Sequence, residues 1–295
     1  MRSLDKLYSK SMWTLVIILI IGLALLSMFP FIWMFLNSLK SQAEINLIPP
    51  HILPERWMFE NYIHAWFKPE ATFGRYFINS TIVAGAGTLF MLAVCIPISY
   101  AISHFSFKGS KWIFFFVIST MMIPSDITII PNFVTLRHFP FAGNNNWLGQ
   151  GGQGFYDSYM GIMLPFFASA FSIFLLRQAF LSVPKEYFEA SQVDGMTYFR
   201  YLCTVLVPLS APSIVTASLF SFIGKWNSVL WPLLITSNEA LRPLQVGLLY
   251  FVSEEGHNYH HLMAAATFTI VPIVVLYIFA QKWFHSGAVA TGLKG

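Results

Sequence analysis

The sequence predicts an all-α protein: a polytopic membrane helix bundle with six transmembrane helices, a short cytoplasmic helix and short helices on the outer surface. Hydrophobic residues make up 56% of the chain and charged residues only 10%, whereas a soluble domain carries about 25% charged residues. Long uncharged runs recur along the chain, and one polar loop near residue 190 has the signals of a short helix. Residues 1–295 are interpreted as a single transmembrane domain.

The uncharged runs are long enough to cross a hydrocarbon core of about 30 Å, which takes about 20 helical residues. For example, 29 residues separate Lys10 from Lys40. This first run exceeds the hydrophobic region of a cleavable signal peptide, about 7–15 residues, so we expect it to stay as an anchor. The predicted spans are residues 12–36, 77–103, 112–136, 158–181, 206–235 and 262–283.

The distribution of positive charge predicts the orientation of these spans. With six spans both termini lie on one side, together with residues 104–111 and 177–204. The segments on that side hold 10 Lys/Arg and 4 Asp/Glu, and the rest of the chain holds 7 Lys/Arg and 9 Asp/Glu. Because cytoplasmic loops carry an excess of Lys and Arg, both termini are expected in the cytoplasm.

Two outer segments differ in character. Residues 38–76 are mixed in polarity and contain four prolines, which predicts short helices on the outer surface. Residues 143–154 read GNNNWLGQGGQG and have too few apolar side chains to bury a core. We expect this second segment to be a flexible loop.

The inner loop of residues 182–205 predicts a helix–glycine–helix elbow. Ser182 is a candidate helix cap before Pro184, which suits a first turn. A short helix over Pro184–Val193 would end at Gly195, the residue type that tolerates a left-handed conformation. Thr197 is placed to cap the helix that follows.

Such an elbow has two interpretations. It could be an amphipathic linker lying in the lipid headgroups, or a docking surface for another protein. Small residues near Glu189, namely Ala190, Ser191 and Gly195, let a protein surface approach the backbone closely. Lipid binding would favour Lys, Arg and large apolar groups instead, so the composition favours docking.

The elbow also resembles a known motif. The pattern Glu189-Ala190-Ser191-x3-Gly195-x9-Val205-x-Val207-Pro208 is similar to E-A-A-x3-G-x9-I-x-L-P, the EAA motif of permease subunits in binding-protein-dependent ABC importers. The departures are Ser191 for Ala and two valines for Ile and Leu. Asp194 before the glycine is also common in that family.

Other segments are similar to the carbohydrate-uptake branch of these importers, in particular to the shorter of two paired permeases of the maltose-transporter type. They lie along nearly the whole chain. They include Pro30-Phe31-x-Trp33, Asn79-Ser80, Tyr159-x-Gly161-Ile162-Met163-Leu164-Pro165, Trp226-Asn227 and the ending Thr291-Gly292-Leu293-Lys294-Gly295.

The resemblance implies a membrane subunit that is not itself an enzyme. The chain has no G-x4-G-K-[ST] phosphate-binding loop, so Mg-ATP would be bound by partner subunits and no cofactor by this chain. The implied partners are a homologous second permease, two cytoplasmic ATP-binding subunits, an extracytoplasmic solute-binding protein, a carbohydrate and the lipid bilayer, with no nucleic acid. The implied location is the bacterial cytoplasmic (inner) membrane. Coupling to the ATPase would involve Glu189, Ala190, Ser191, Asp194, Gly195 and Pro208.

The sequence offers less support for two other classes of protein. An intramembrane enzyme or metal site would need converging acids, His or Cys; His257, His260 and His261 lie close together in sequence but without nearby acids or Cys. An ion-driven secondary carrier often places ionisable residues at mid-membrane. Only Asp126 and Lys225 qualify, and both are predicted nearer the outer end of their spans.

The candidate solute-pathway residues are Lys225, Trp226, Asn227 and Asp126. Lys225 follows Pro208 by 17 residues, or about 25 Å along a straight helix. Its ammonium could snorkel to the headgroups. Alternatively it could face the translocation cavity and meet an anionic solute, such as an acidic saccharide.

Overall fold

The computed structural model describes residues 2–67, 73–105, 107–255 and 258–292, with side chains described in 12–67, 73–105, 107–249 and 258–283. Within these ranges the chain is helical and forms no β-strand, which confirms the predicted all-α class. The α-helices are α1 (Arg2–Ser38), α2 (Gln42–Ile45), α3 (Glu60–Phe67), α4 (Phe73–His104), α5 (Ser110–Ser119), α6 (Ser125–Arg137), α7 (Tyr159–Met163), α8 (Ala170–Ser182), α9 (Lys185–Val193), α10 (Tyr198–Tyr201), α11 (Val207–Leu209), α12 (Ala211–Trp226), α13 (Leu230–Ile235), α14 (Leu244–Glu255) and α15 (Tyr259–Gly292).

Three helices in the described ranges are long and apolar enough to cross a membrane unbroken. They are Met12–Ser38 of α1, Phe73–His104 of α4 and Tyr259–Trp283 of α15. Three further segments pass the same test as bent pairs. The pairs are Ser110–Met122 with Ser125–Arg137, Tyr159–Phe166 with Ala170–Ser182, and Tyr198–Leu209 with Ala211–Trp226, bent by 105°, 48° and 81°.

The bends occur where the local chemistry interrupts a helix. Pro124 precedes α6 and Ser169 caps α8 by accepting a hydrogen bond from the Ser172 amide at 3.2 Å. Ser210 separates α11, which contains Pro208, from α12, which has a proline in its first turn. Since proline has no amide hydrogen and clashes with the preceding turn, these positions favour a break over a continuous helix.

The fifth predicted span differs from the structure. Residues 206–235 were expected to form one helix, but α12 ends at Trp226 and a separate helix, α13, begins at Leu230. At the other end, α12 begins only after the 81° bend. The estimate of 25 Å along a straight helix from Pro208 to Lys225 is therefore wrong.

Helix α1 is apolar and exposed. No residue of its most apolar 18-residue window is buried within the protein, and leucine, isoleucine and phenylalanine side chains are exposed on all its faces. A helix that is apolar all round needs lipid or another apolar partner around it. This agrees with its prediction as a membrane span.

The chain divides into two compact units, residues 1–73 with 250–270 and residues 74–249 with 271–295. In the first unit, Phe268 packs against Tyr62, Trp66 and Phe73, with ring centroids 5.4, 4.9 and 6.1 Å away. The short helices predicted in residues 38–76 are present in this unit as α2 and α3.

The first unit also buries a lysine. Lys40 is 1% exposed, and its Nζ donates hydrogen bonds to Asn37 Oδ1 at 2.9 Å and to the His51 carbonyl. The ammonium lies 4.8 Å from the centre of the Trp33 ring. Burial lowers the pKa of Lys40, an effect that the Glu44 carboxylate partly opposes. These contacts join the end of α1 to the following loop.

The second unit contains two apolar clusters. One surrounds Leu176 and Phe180 of α8 and Leu206 near α11. The other surrounds Ile162 and Trp231, whose indole Nε1 donates to the carbonyls of Gly161 and Ile162 at 3.2 and 3.1 Å. The indole therefore links α13 to α7.

The Gly- and Asn-rich loop, residues 143–154, which the composition predicts to be flexible, makes several side-chain hydrogen bonds in the structure. Asn145 is 7% exposed; its Nδ2 donates to the carbonyls of Arg137 and Phe139, and its Oδ1 accepts from the Gly152 amide. Asn146 Oδ1 accepts from two further amides, at Leu148 and Gln150. Hydrogen bonds from side-chain amides thus hold together a loop that has few apolar side chains to pack.

Candidate coupling elbow and solute cavity

The elbow consists of α9, the turn after it and α10. Helix α9 spans Lys185–Val193, one residue shorter than predicted, and its N-cap position is Pro184 without a side-chain cap. The prediction that Ser182 caps it is wrong, because Ser182 ends α8 and its Oγ donates to the Ala179 carbonyl at 2.7 Å.

Gly195 ends α9 as predicted. Its φ is +71°, in the left-handed region. The Gly195 amide donates to the Gln192 carbonyl at 3.1 Å, and the Met196 amide donates to the Ser191 carbonyl at 2.9 Å. These two bonds form a Schellman motif, which satisfies the last carbonyls of a helix. Thr197 then accepts from the Arg200 amide at 3.3 Å, which confirms its predicted role as a cap.

Two of the three small residues of the elbow, Ala190 and Gly195, are exposed. Glu189, Ala190 and Asp194 are exposed, whereas Ser191 is buried and its Oγ donates to the Phe188 carbonyl at 2.6 Å. Phe188 is partly buried against the second unit's core. One face of α9 therefore holds the helix to the protein, and the other face exposes the Glu189 carboxylate beside Ala190.

The chain after the elbow departs from a regular helix. Leu202–Leu206 forms a π-helical turn, and Val207–Leu209 follows as α11 with Pro208 exposed. Single π-turns inside helices are often found at functional sites. The link from the elbow to α12 thus contains a π-turn, a proline and a bend.

A cavity of about 400 Å³ lies beside α12 in the second unit. Lys225 lines it, partly buried, and its Nζ donates to Ser221 Oγ at 2.5 Å. Thr88 Oγ1 in turn donates to Ser221 Oγ at 3.3 Å. Lys225 has no carboxylate within ion-pair distance in the side chains that the structure describes. The other lining residues include Ser169, Ser172, Phe171, Phe220, Ser228 and Trp231.

The space for the lysine is provided by Gly87 of α4. A Cβ placed at Gly87 would lie 2.9 Å from Lys225 Cδ and 3.0 Å from its Cε. Any larger residue at position 87 would displace the lysine stem. The absence of a side chain at Gly87 therefore lets Lys225 lie across α4 within the protein.

The other predicted pathway residues lie in different surroundings. Trp226 is fully buried, with its ring against Phe77 and Phe222 at 5.6 and 5.5 Å; we therefore place it in the packing of α12 rather than in the pathway. Asn227 is exposed and accepts from Gln245 Nε2 at 3.3 Å. Asp126 is exposed in the first turn of α6 and is not among the residues that line the cavity.

The histidines considered for a metal site lie partly outside the described residues. His257 is not described. His260 and His261 have ring centres 4.0 Å apart, and His260 Nδ1 shares a hydrogen bond with Gln42 Oε1 at 2.8 Å. Among the side chains that the structure describes, no group of three His, Cys, Asp or Glu residues could hold a metal ion.

The hydroxyl groups near Lys225 were not predicted from the sequence. Ser221 lies one helical turn before it, which could have been found from the i, i+4 spacing. Thr88 and Ser169 are distant in sequence, and no local signal pointed to them.

Residues 93–288, more than half of the chain, match the family of binding-protein-dependent transport system inner membrane components. The chain therefore belongs to this family, and the resemblance stated above is confirmed.

Similar proteins cover most of the chain. The arabinooligosaccharides transport system permease protein AraQ of Bacillus subtilis (strain 168) is 30% identical over 275 residues, 92% of each chain. The sn-glycerol-3-phosphate transport system permease protein UgpE of Yersinia pestis bv. Antiqua (strain Antiqua) is 32% identical over 279 residues, 92% of this chain and 94% of that one. A solved bacterial ABC transporter that imports the acidic polysaccharide alginate contains a chain of the same fold. It matches with a TM-score of 0.78 and 25% identity, over 94% of this chain and 98% of that one.

Proposed function

We propose that this chain is the membrane subunit of an ATP-driven importer, where it forms half of the pathway for a carbohydrate and couples to a separate ATPase through the elbow. The observation that carries the proposal is the elbow itself. Glu189 and Ala190 are exposed on a helix that Phe188 and Ser191 hold to the rest of the protein. Family membership supports it.

The remaining partners follow from the same proposal. A homologous second permease would complete the pathway, two cytoplasmic subunits would bind Mg-ATP, and an extracytoplasmic binding protein would deliver the solute. Mg-ATP on the cytoplasmic side and the loaded binding protein on the outer side would both shift the equilibrium between the inward-open and outward-open states. Each would therefore strengthen the binding of the other, as allosteric coupling requires. Both termini would then lie in the cytoplasm, in agreement with the charge distribution.

We further propose that the carbohydrate is acidic, such as a uronate oligomer. Lys225 supports this, because its ammonium lines the cavity beside Ser221 and Thr88 instead of pairing with an acid of the described chain. A buried cation is costly unless it meets an anion. Two similar proteins belong to transporters that are named for anionic solutes, sn-glycerol-3-phosphate and alginate.

The ion-driven carrier is not favoured. Asp126 lies exposed at the start of α6, outside the cavity that Lys225 lines. The two ionisable residues therefore do not share one site in the structure.

The elbow is tested by placing bulk on its exposed face. Ala190→Trp should prevent the close approach of an ATPase, so that uptake falls at least tenfold while the protein still inserts in the membrane. The matched control is Leu181→Trp, at an exposed position near the end of α8 and outside the elbow. Wild-type uptake and wild-type ATP hydrolysis by Ala190→Trp would refute the coupling role.

A further inference from the structure

An arginine lies between two apolar segments at the end that leads into the elbow. Arg177 belongs to α8, five residues before Ser182, where that helix ends. The carbon of its guanidinium lies 4.0 Å from the centre of the Phe114 ring of α5. Phe114 in turn stacks on Phe174 of α8, with ring centres 6.3 Å apart and planes inclined by 11°. The cation is therefore held against α5 by an aromatic ring that α8 also packs.

The charge of this arginine is not balanced by the described chain. Arg177 is only partly exposed, and its Nε is buried without a hydrogen-bond partner among the described residues. Within the same residues no carboxylate lies at ion-pair distance from the guanidinium. An arginine stays protonated in a protein. Since a permanent cation between membrane segments is costly without an anion, the guanidinium needs a counter-ion from outside this chain.

Lys111 and Trp112 indicate where α5 meets the membrane surface. Both are exposed in the first turn of that helix. Tryptophan is enriched at the boundary between membrane and water, and lysine flanks the spans on the cytoplasmic side. Lys111 lies three residues before Phe114, on the same face of α5 and about 4.5 Å away along its axis. Arg177, which contacts Phe114, therefore lies about one helical turn inside the membrane surface.

The two helices that hold the arginine expose large apolar side chains. They are Ile113, Phe115 and Phe116 of α5 and Phe171, Phe174 and Leu181 of α8. A soluble anion such as inorganic phosphate gains nothing from such surfaces, whereas acyl chains cover them and remove them from water. A cation just inside the membrane surface, with apolar side chains on the same helices, fits an amphiphile that has an anionic head and apolar tails.

We propose that Arg177, Phe114 and Lys111 form a binding site for the phosphodiester of an anionic phospholipid, such as phosphatidylglycerol, in the leaflet on the elbow side. The N–H groups of a guanidinium point outward in its plane, so an arginine over a ring can still donate two parallel hydrogen bonds to phosphate oxygens. Lys111 adds a second positive charge one turn nearer the water. Basic pockets between spans on the cytoplasmic side bind anionic lipid headgroups in this way. The proposal goes beyond transport, since it depends neither on the solute nor on coupling to an ATPase.

Lipid retention by the complete purified transporter tests the site. The transporter is placed in nanodiscs of phosphatidylcholine with a minor fraction of phosphatidylglycerol, released into mild detergent and analysed by native mass spectrometry. The wild type should retain phosphatidylglycerol above its share of the bilayer, and raised salt should lower this retention, because charges near the membrane surface are screened. Arg177→Gln should retain at least threefold less phosphatidylglycerol, because the phosphate loses its charged donor.

Two further variants separate this role from a merely structural one. Arg137→Gln is the matched control, because Arg137 also lies over an aromatic ring, 5.1 Å from that of Tyr156, but at the end of α6 that precedes the predicted outer loop. It should retain phosphatidylglycerol as the wild type does. Arg177→Lys should fall between the wild type and Arg177→Gln, since lysine keeps the charge and loses the two-pronged donor. An equal loss in Arg177→Lys and Arg177→Gln would assign Arg177 a packing role and overturn the proposal.

Three other results would overturn the proposal. Equal retention of phosphatidylcholine and phosphatidylglycerol by the wild type would do so whether or not any variant folds. Unchanged retention by Arg177→Gln would point to a carboxylate of a partner chain as the counter-ion. Displacement of the lipid by inorganic phosphate, beyond that by chloride at equal ionic strength, would show a site for soluble anions. Uptake and ATP hydrolysis by Ala190→Trp test the coupling role separately, so failure of the proposed function leaves a different signature.

Discussion

Lys225 donates a hydrogen bond from its Nζ to Ser221 Oγ, one turn earlier on α12. This bond keeps the ammonium on the cavity side of the helix, and the lysine stem crosses Gly87 of α4. A lysine that snorkelled to the headgroups would extend along its own helix toward water. The geometry therefore favours the cavity-facing alternative of the two that the sequence left open.

Lys225→Met should lower the uptake of acidic oligosaccharides while leaving neutral ones little changed. Methionine keeps most of the apolar stem and removes the charge, so the cavity keeps its shape. We expect at least a tenfold loss for a uronate oligomer and a weaker dependence of the remaining uptake on salt. Competition between labelled acidic and neutral oligosaccharides measures this. Equal uptake of both classes by the variant and the wild type would contradict the acidic-solute proposal.

Gly87→Ala should reproduce part of that loss without removing the charge. The added Cβ would lie 2.9 Å from Lys225 Cδ, so the flexible side chain must move out of its place. Gly85→Ala on the same helix is the control, since nothing lies within 4 Å of its Cβ position. Uptake of the acidic oligosaccharide should fall for Gly87→Ala only; equal uptake by the two variants would show that the placement of Lys225 is not important.

Gly195→Val should impair coupling to the ATPase because it strains the backbone of the elbow. Nothing lies within 4 Å of a Cβ at this position, so the cost comes from the left-handed φ of +71°, about 1–2 kcal/mol. Uptake should fall while membrane insertion stays normal. Gly22→Val in α1 is the control, because it also has space but no positive φ. If both variants transport at the wild-type rate, the left-handed turn is not required.

Asn145→Ala should loosen the loop of residues 138–156. Its side chain makes three hydrogen bonds to the backbone, and loss of bonds to buried groups costs about 1–3 kcal/mol. Amide hydrogen exchange in this loop should accelerate by at least fivefold, with little change in α12. Gln150→Ala serves as the control, since Gln150 bonds to Asn146 through its backbone amide and carbonyl, which alanine keeps. Unchanged exchange would restore the expectation of a flexible loop.

Cysteine labelling tests the orientation. Ser286→Cys should react with a membrane-impermeant thiol reagent only after the cells are opened, because the charge distribution predicts a cytoplasmic C-terminus. Gln150→Cys should react in intact spheroplasts, since Gln150 is exposed in a predicted outer loop. Labelling of Ser286→Cys from outside would contradict the six-span arrangement with both termini inside.

Local signals predicted the elbow well. Gly195 ends α9 and Thr197 caps α10, since both roles depend on the backbone within four residues. The prediction that Ser182 caps α9 was wrong because its hydroxyl can also bond to α8, the helix that it ends. The sequence is compatible with a bond to α8 or to α9, and only the geometry of the α8–α9 connection distinguishes the two.

Long-range contacts could not be predicted in the same way. Prolines indicated possible breaks, but the angles of 105°, 48° and 81° depend on how each half packs. The loop of residues 143–154 looked flexible because its composition lacks apolar side chains. In the structure its hydrogen bonds come from Asn145, whose Nδ2 donates to carbonyls six and eight residues earlier.

Composition and spacing by themselves predicted a membrane protein, the positions of its apolar segments and an elbow in residues 182–205, and the resemblance of that elbow to a known motif indicated the family. They did not determine which side of α12 faces the cavity. A soluble helix reveals its buried side through an apolar stripe, whereas lipid is as apolar as a protein core, so a membrane helix can be apolar on every side. Only the tertiary structure therefore decided that Trp226 is buried and that the next residue back, Lys225, lines the cavity beside Ser221.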